Sequence, residues 1–208
     1  MNSTISAQRN AIRKQVRTSR RSLTNSEQQH ASILLLKKLI AHPKVQQASH
    51  VSLTLAHDGE IDLTPFIDWC WQHNKKVALP VVHPNQTGKL LFLYYHNNTE
   101  MIINRYGIKE PKLTIDNKKT NSFLNTVPVE QLDIIFTPLV AFDIQGNRIG
   151  MGGGYYDRLL VPWFNQKQGP YPIGLAHDCQ KIDDVPIQSW DIPLPEIITP
   201  QAHFYFEK

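Results

Sequence analysis

Five of the ten glycines of this chain fall within nine residues, 146–154, in the run GNRIGMGGGYYDR (146–158). Arg148 sits inside the run, and Tyr155, Tyr156 and Asp157 follow it directly. Glycines let several backbone N–H groups converge on one anion, and a helix N-terminus after them adds partial positive charge. Arg148 offers a planar, permanently charged fork for phosphate oxygens. Asp157, the first carboxylate after the loop, is placed to hold Mg²⁺ beside those phosphates. A flexible linker would be Gly/Ser-rich and polar on both sides. This run instead separates the most apolar stretch of the chain from an amphipathic helix start. A plain turn accounts for one or two glycines, not five. Phosphate binding is therefore the chemistry indicated, although neither common nucleotide motif fits. A Walker A loop ends in Gly-Lys-Ser/Thr, whereas Gly154 is followed by Tyr155, and G-x-G-x-x-G from Gly150 and Gly152 puts its third position on Tyr155. Which phosphate reaction follows is left open by these residues alone.

A second cluster is cationic. Residues 1–21 hold Arg9, Arg13, Lys14, Arg17, Arg20 and Arg21 and no acid, leaving 16 of the 22 basic residues against all 18 acids in the rest. The net charge of +4 is thus the property of one end. Arg9, Arg13 and Arg17 repeat every fourth residue and make a stripe on one helix face. Taken alone, such a stripe is a solvated face or a nucleic-acid contact. No aromatic residue precedes Phe66, which weakens a single-strand platform. The nine histidines show neither HxxxH nor HxH spacing. His57 and His177 follow strands and read as core or surface residues, and the four tryptophans read as packing.

The elements that must position these groups follow from periodicity. A basic helix is predicted over 7–23. A helix restart at Thr24-Asn25-Ser26-Glu27 opens a second, from 26 to 40, with Ile33, Leu36, Leu39 and Ile40 inward. Strands are predicted at HVSLTLA (50–56), KVALPVV (76–82), KLLFLYYH (89–96), LDIIFTPLVAFD (132–143), PIGLAH (172–177) and EIIT (196–199). Thr64-Pro65 opens a helix with Leu63, Phe66, Ile67 and Cys70 inward. YYDRLLVPWF starts another, cut or kinked at Pro162. Strands alternating with helices predict an α/β layered sandwich, a mainly parallel central sheet flanked by helices with the basic helix appended. A single domain over 1–208 is expected. No stretch approaches the about 20 apolar residues of a membrane helix, and no secretory signal is visible. Cys70 and Cys179 form no framework, so a reducing cytoplasm is expected.

GNRIGMGGGYYDR resembles the signature of the 5-formyltetrahydrofolate cyclo-ligase (5,10-methenyltetrahydrofolate synthetase) family, bacterial type. HDGEID (57–62) is similar to the family's folate-side loop, and NRYGIKEP (104–111) to its central segment. TPLVAFD (137–143), LAHDCQ and WDIPLPEIIT extend the resemblance over nearly the whole chain, in order. The resemblance implies ATP-dependent closure of 5-formyltetrahydrofolate, which would bear a polyglutamate tail or none, to 5,10-methenyltetrahydrofolate. It implies ATP as co-substrate, Mg²⁺, and neither nucleic acid nor membrane as partner.

Carried over by position, it implies that Arg148 contacts phosphates and that Gly150, Met151, Gly152, Gly153 and Gly154 cradle them, with Tyr156 alongside. Tyr155 would reach between ATP and the formyl end of the folate, making Arg148 and Tyr155 the catalytic pair. Asp157 and Asp191 match metal positions. Glu60 matches the residue that hydrogen-bonds the pterin, with Leu55 and Met151 lining that pocket. Arg9 and Arg13 match a cationic pair that reaches ATP, and Arg17, Arg20 and Arg21 are expected to be surface. One departure stands out: many members carry a lysine in the loop where this chain has Gly153. The alternative is a non-catalytic nucleotide- or nucleic-acid-binding module built on the basic N-terminus.

Overall fold

The computed structural model describes residues 2–104, 106–115 and 123–206, so Arg105 of NRYGIKEP lies outside the described residues. The elements in chain order are α1 (Asn2–Arg21), α2 (Asn25–Ala41), α3 (Pro43–Gln47), β1 (His50–Ser52), α4 (Thr64–Gln72), β2 (Lys76–Val82) and β3 (Leu90–Tyr94). There follow β4 (Met101–Ile103), β5 (Lys109–Pro111), β6 (Thr126–Val127), β7 (Ile134–Pro138), β8 (Ala141–Phe142) and β9 (Arg148–Ile149). The chain closes with α5 (Tyr155–Gln166), β10 (Tyr171–Leu175), β11 (Glu196–Ile198) and β12 (His203–Tyr205).

Eight strands form one sheet in the order β12-β11-β10-β7-β1-β2-β3-β6. The five central strands pair in parallel, and β12, β3 and β6 add antiparallel edges. The expected α/β sandwich with a mainly parallel centre is what forms. Apolar residues on one face of the sheet (Val51, Val77, Ile134, Phe136) pack under α2 and α4 through Leu35, Leu39, Phe66 and Ile67. On the other face Ala78, Phe92 and Ile135 meet Tyr156 and Leu159 of α5. Helix α1 lies against the β8–β9 hairpin, with Val16 packed on Val140, Ala141 and Ile149.

Local signals explain the boundaries. Thr24 forms a capping box: its Oγ1 accepts from the Glu27 N–H at 3.3 Å, and Glu27 Oε2 accepts from the Thr24 N–H at 2.7 Å. The inner face of α2 differs from expectation. Ala31, Ser32, Leu35 and Leu39 are buried, Leu36 and Ile40 flank them, and Ile33 is exposed. Ile33 is two residues from Leu35, about 200° round the helix, so the two cannot share a face. The inner face of α4 is the expected one.

β1 and β7 are shorter than their apolar runs. β1 stops at Ser52, and 53–60 leave the sheet in a loop that turns at Asp58, whose φ is +56°. β7 ends at Pro138, after which β8 and β9 form a separate hairpin. Helix α5 runs through Pro162 to Gln166 rather than ending there. Pro162 is exposed, and the single helical bond it removes does not outweigh the packing of Leu160 below. The polar stretch after 96, in which few elements were expected, contributes β4, β5 and β6. No helix among the described residues is long and apolar enough to cross a membrane.

Candidate active site

A cleft of about 460 Å³ opens beside the carboxyl ends of β1 and β7, the edge at which parallel sheets take ligands. Thr54 and Leu55 enter it from the loop after β1, Pro138 and Leu139 from the end of β7, and His57 and Glu60 from HDGEID. Its opposite wall is the glycine loop with Arg148, Tyr155, Tyr156 and Asp157. Of the residues expected from sequence, Leu55, Glu60, Arg148, Gly150, Met151, Gly153, Gly154, Tyr155, Tyr156 and Asp157 line this one cleft. Arg9, Arg13, Gly152 and Asp191 do not line it.

The loop joins β9 to α5. Gly154 is the N-cap of α5 in the left-handed region at φ 61°, which aims the first turn of a twelve-residue helix at the cleft. Gly153 serves a different need. A Cβ there would stand 2.6 Å from the Tyr155 ring, so the absence of a side chain is what allows Tyr155 its position. A lysine at 153 is incompatible with this placement of Tyr155. A cation not singled out in the sequence stands close by: Arg158 donates from Nε to the Gly88 carbonyl at 3.0 Å and from Nη2 to the Gly153 carbonyl. Its guanidinium lies 5.8 Å from the centre of the Tyr155 ring.

Arg148 is buried, and its Nη2 donates to Asp157 Oδ1 at 2.8 Å. Among the described residues its Nε has no hydrogen-bond partner. Burial works against the Arg148 charge, while Asp157 and Asp191 support it. The Tyr156 hydroxyl is likewise buried without a hydrogen-bond partner among the described residues, and burial, together with the charge of Glu60, keeps it protonated. Two buried donors in the lining of the cleft, without partners among the described residues, leave a deficit that an anionic ligand would fill. Glu60 is lifted from 4.5 to about 6 by burial, with Arg20 Nη1 at 3.6 Å opposing the shift.

The N-terminal helix is tied down at three levels. Arg9 makes a two-pronged pair with Asp191, Nη1 to Oδ2 at 2.5 Å and Nη2 to Oδ1 at 3.1 Å. Arg13 Nε donates to the Gly150 carbonyl at 2.8 Å, joining α1 to the loop itself. Asp58 receives Arg17 Nε at 2.6 Å, Arg20 Nη2 at 3.0 Å and Arg21. The expectation that Arg17, Arg20 and Arg21 are all surface fails for two of them. Arg20 is completely buried, and Arg17 lines the cleft. The cause is the left-handed turn at Asp58, which places one carboxylate within reach of three helical positions spaced i, i+3, i+4; nothing local to α1 announces it.

The two carboxylates matched to a metal are not alike. Asp157 accepts from Arg148 and, at 3.3 Å, from the Ile192 N–H, both through Oδ1, and among the described residues its Oδ2 makes no hydrogen bond. Both oxygens of Asp191 are engaged, by Arg9 and by the Gln188 N–H at 2.8 Å. Asp157 thus fits a divalent cation through one oxygen. Asp191 fits only if Arg9 releases it.

The sequence alone assigns no role to any residue of NRYGIKEP (104–111). The structure brings Tyr106 to the mouth of the cleft, its hydroxyl 3.4 Å from that of Tyr155. Asn104 Nδ2 donates to Glu110 at 2.9 Å in the same wall. The antiparallel pairing of β4 with β5 creates this wall. Its strands, three residues each, are too short to carry a periodic signal.

The family model described as the 5-formyltetrahydrofolate cyclo-ligase family matches residues 5–200. The chain is 43% identical over 185 residues to the 5-formyltetrahydrofolate cyclo-ligase of Escherichia coli (strain K12), covering 89% of this chain and 96% of that one. It is 42% identical over 190 residues to the enzyme of the same name from Haemophilus influenzae, covering 91% and 96%. Its fold is similar to the NMR structure of Aquifex aeolicus 5,10-methenyltetrahydrofolate synthetase, with a TM-score of 0.76 and 28% identity over 96% of this chain and 93% of that one.

Proposed function

The chain belongs to the 5-formyltetrahydrofolate cyclo-ligase family, and on that premise we propose that it closes 5-formyltetrahydrofolate to 5,10-methenyltetrahydrofolate at the expense of ATP, releasing ADP and phosphate. The observation that carries the reading is the shared cleft, where a glycine loop leading into a helix N-terminus faces Glu60 across a space large enough for a folate ring. A formamide carbonyl is a poor electrophile, and its oxygen is a poor leaving group. Transfer of the γ-phosphoryl group to that oxygen gives an iminium phosphate and ADP. The folate N10 then attacks the same carbon, the C–O bond breaks, phosphate departs, and the N10 proton passes to water. No protein nucleophile is required, so the work left to the chain is positioning and charge stabilisation.

Arg148 and the amides of 150–154 would hold the phosphates, and the unpartnered Arg148 Nε and Tyr156 hydroxyl are donors available for them. Tyr155, with Tyr106 beside it, would stand between nucleotide and formyl group. Glu60 and Leu55 would seat the pterin. Arg13 would brace the loop through Gly150, and Arg9 would reach the nucleotide by leaving Asp191. Mg²⁺, which neutralises phosphate charge when bound, would be held through Asp157, with Asp191 added once Arg9 has moved. A polyglutamate tail on the folate is compatible with this reading, as are a cytoplasmic location and one domain over 1–208 built on the uninterrupted eight-stranded sheet. No second reading is favoured: the N-terminal arginines of a nucleic-acid module would face solvent, whereas Arg9 and Arg20 are buried in ion pairs.

The test is direct. Purified protein with Mg-ATP and 5-formyltetrahydrofolate should develop the methenyl chromophore, with ADP formed in equal amount. A folded protein that produces neither would end the proposal.

A further inference from the structure

The sheet edge formed by β11 and β12 carries a polar cluster outside the cleft. His42, between α2 and α3, directs Nε2 to Glu196 Oε1 at 2.7 Å, and His203 directs its own Nε2 to the same oxygen at 2.6 Å. Glu196 and His42 are buried, and the His203 side chain is 26% exposed. Among the described residues this is the one place where three histidine, cysteine or carboxylate ligand atoms lie within 4.8 Å of one another. None of the three lines the cleft.

We propose that His42, Glu196 and His203 form a zinc site, with water in the fourth position reached past His203. Two imidazole nitrogens and one carboxylate are a donor set that zinc takes in tetrahedral geometry, with one position left open when the protein supplies three ligands. Three elements supply them. His42 caps α2, Glu196 lies on β11, and His203 lies on β12, two residues from the Tyr205 that pairs with Glu196. Ligands from separate packed elements are pre-positioned, so little ordering is left for the ion to impose. The present donor separations are those of hydrogen bonds. Ligands about 2.1 Å from a tetrahedral ion stand about 3.4 Å apart, so side-chain rotations opening each contact by about 0.8 Å would admit it.

A further observation points to a cation. Glu196 Oε2 is buried and, among the described residues, neither histidine bonds it, so it is a carboxylate oxygen left over after both have engaged the other. The site does not depend on the cyclo-ligase reading, and either can fail without the other.

Chelator-treated full-length protein, titrated with Zn²⁺ alone, should retain one equivalent after desalting, measured by elemental analysis. Co²⁺ in place of zinc should give the intense visible bands of a four-coordinate ion. His203→Gln and Glu196→Gln should each lose the equivalent and the bands, while Asp157→Asn keeps both. Zinc should raise the melting temperature of the wild type and not of His203→Gln, which should retain the wild-type fold and turnover. The proposal fails if the wild type retains no stoichiometric zinc. It fails equally if folded His203→Gln retains the full equivalent, or if Asp157→Asn loses it.

Discussion

Arg9 and Asp191, separated by 182 positions in the chain, grip one another through two parallel hydrogen bonds, and each side chain is only 8% exposed. One is expected to meet an anion and the other a cation. In this structure each satisfies the other, so the pair ties α1 to the segment that carries Asp191. Removing one partner of a buried pair leaves a charge without compensation and costs about 3–5 kcal/mol. Asp191→Ala should therefore lower unfolding free energy by about that amount in urea titrations. The double variant Arg9→Met/Asp191→Leu should recover most of it, and additive losses would show that the two do not interact.

Asp58 is the second anchor of α1. Burial would raise its carboxyl, but hydrogen bonds from Arg17 and Arg21 and the charges of Arg17 and Arg20 hold it below 3.8. A depressed carboxylate contributes stability above its unfolded pKa and loses it as pH falls through the folded value. Wild type should lose this contribution only below about pH 3.8, whereas Asp58→Asn should lack it throughout. Because Arg20 is completely buried, the cost at neutral pH should be about 3 kcal/mol, read from denaturant midpoints. A variant as stable as wild type at neutral pH would remove Asp58 as the anchor.

Gly152 and Gly153 fail differently when substituted. Gly152 has φ 106°, where a β-branched residue is strained by about 1–3 kcal/mol, and Gly152→Val should reorganise the exposed loop. Turnover should fall at least about a hundredfold, about 2.7 kcal/mol of barrier, with the melting temperature changed by no more than a few degrees. Gly153→Ala meets the Tyr155 ring instead, so its loss should appear in kcat and in folate KM together. Wild-type kinetics in either variant would dissociate the loop from the reaction.

Glu60 provides a pH signature. Its carboxyl, raised from 4.5 to about 6 by burial, is protonated in the folded state at pH values where the unfolded chain has lost the proton. The raised value therefore costs stability once pH exceeds about 6, by at most about 2 kcal/mol, and nothing below 4.5. Glu60→Gln should stabilise the protein above pH 6 and weaken folate binding at the same time. If the ionised carboxylate is what binds the pterin, kcat/KM in the wild type should rise through about pH 6 and lose that limb in Glu60→Gln. A profile unchanged by the substitution would detach Glu60 from the folate.

The chain's local signals determined much of this. KVALPVV became a strand over its full predicted span, and Thr24 with Glu27 started a helix where the capping pattern placed it. The crowd of glycines marked a loop leading into a helix, and 150–154 form that loop between β9 and α5. Such features depend on a few consecutive residues and on periodicity, which a sequence displays directly. What only the tertiary structure decided depends on distance across the chain. The truncation of β1 at Ser52, the burial of Arg20 by Asp58, the meeting of Tyr106 with Tyr155 and the pairing of Arg9 with Asp191 all join segments at least 38 residues apart or turn on where they lie. His42 and His203 show no metal spacing, yet strand pairing and the end of α2 bring them onto one carboxylate oxygen. A side chain's type sets which partners it can satisfy, but the fold sets which partner arrives, because desolvation leaves each buried charge only the groups that surround it.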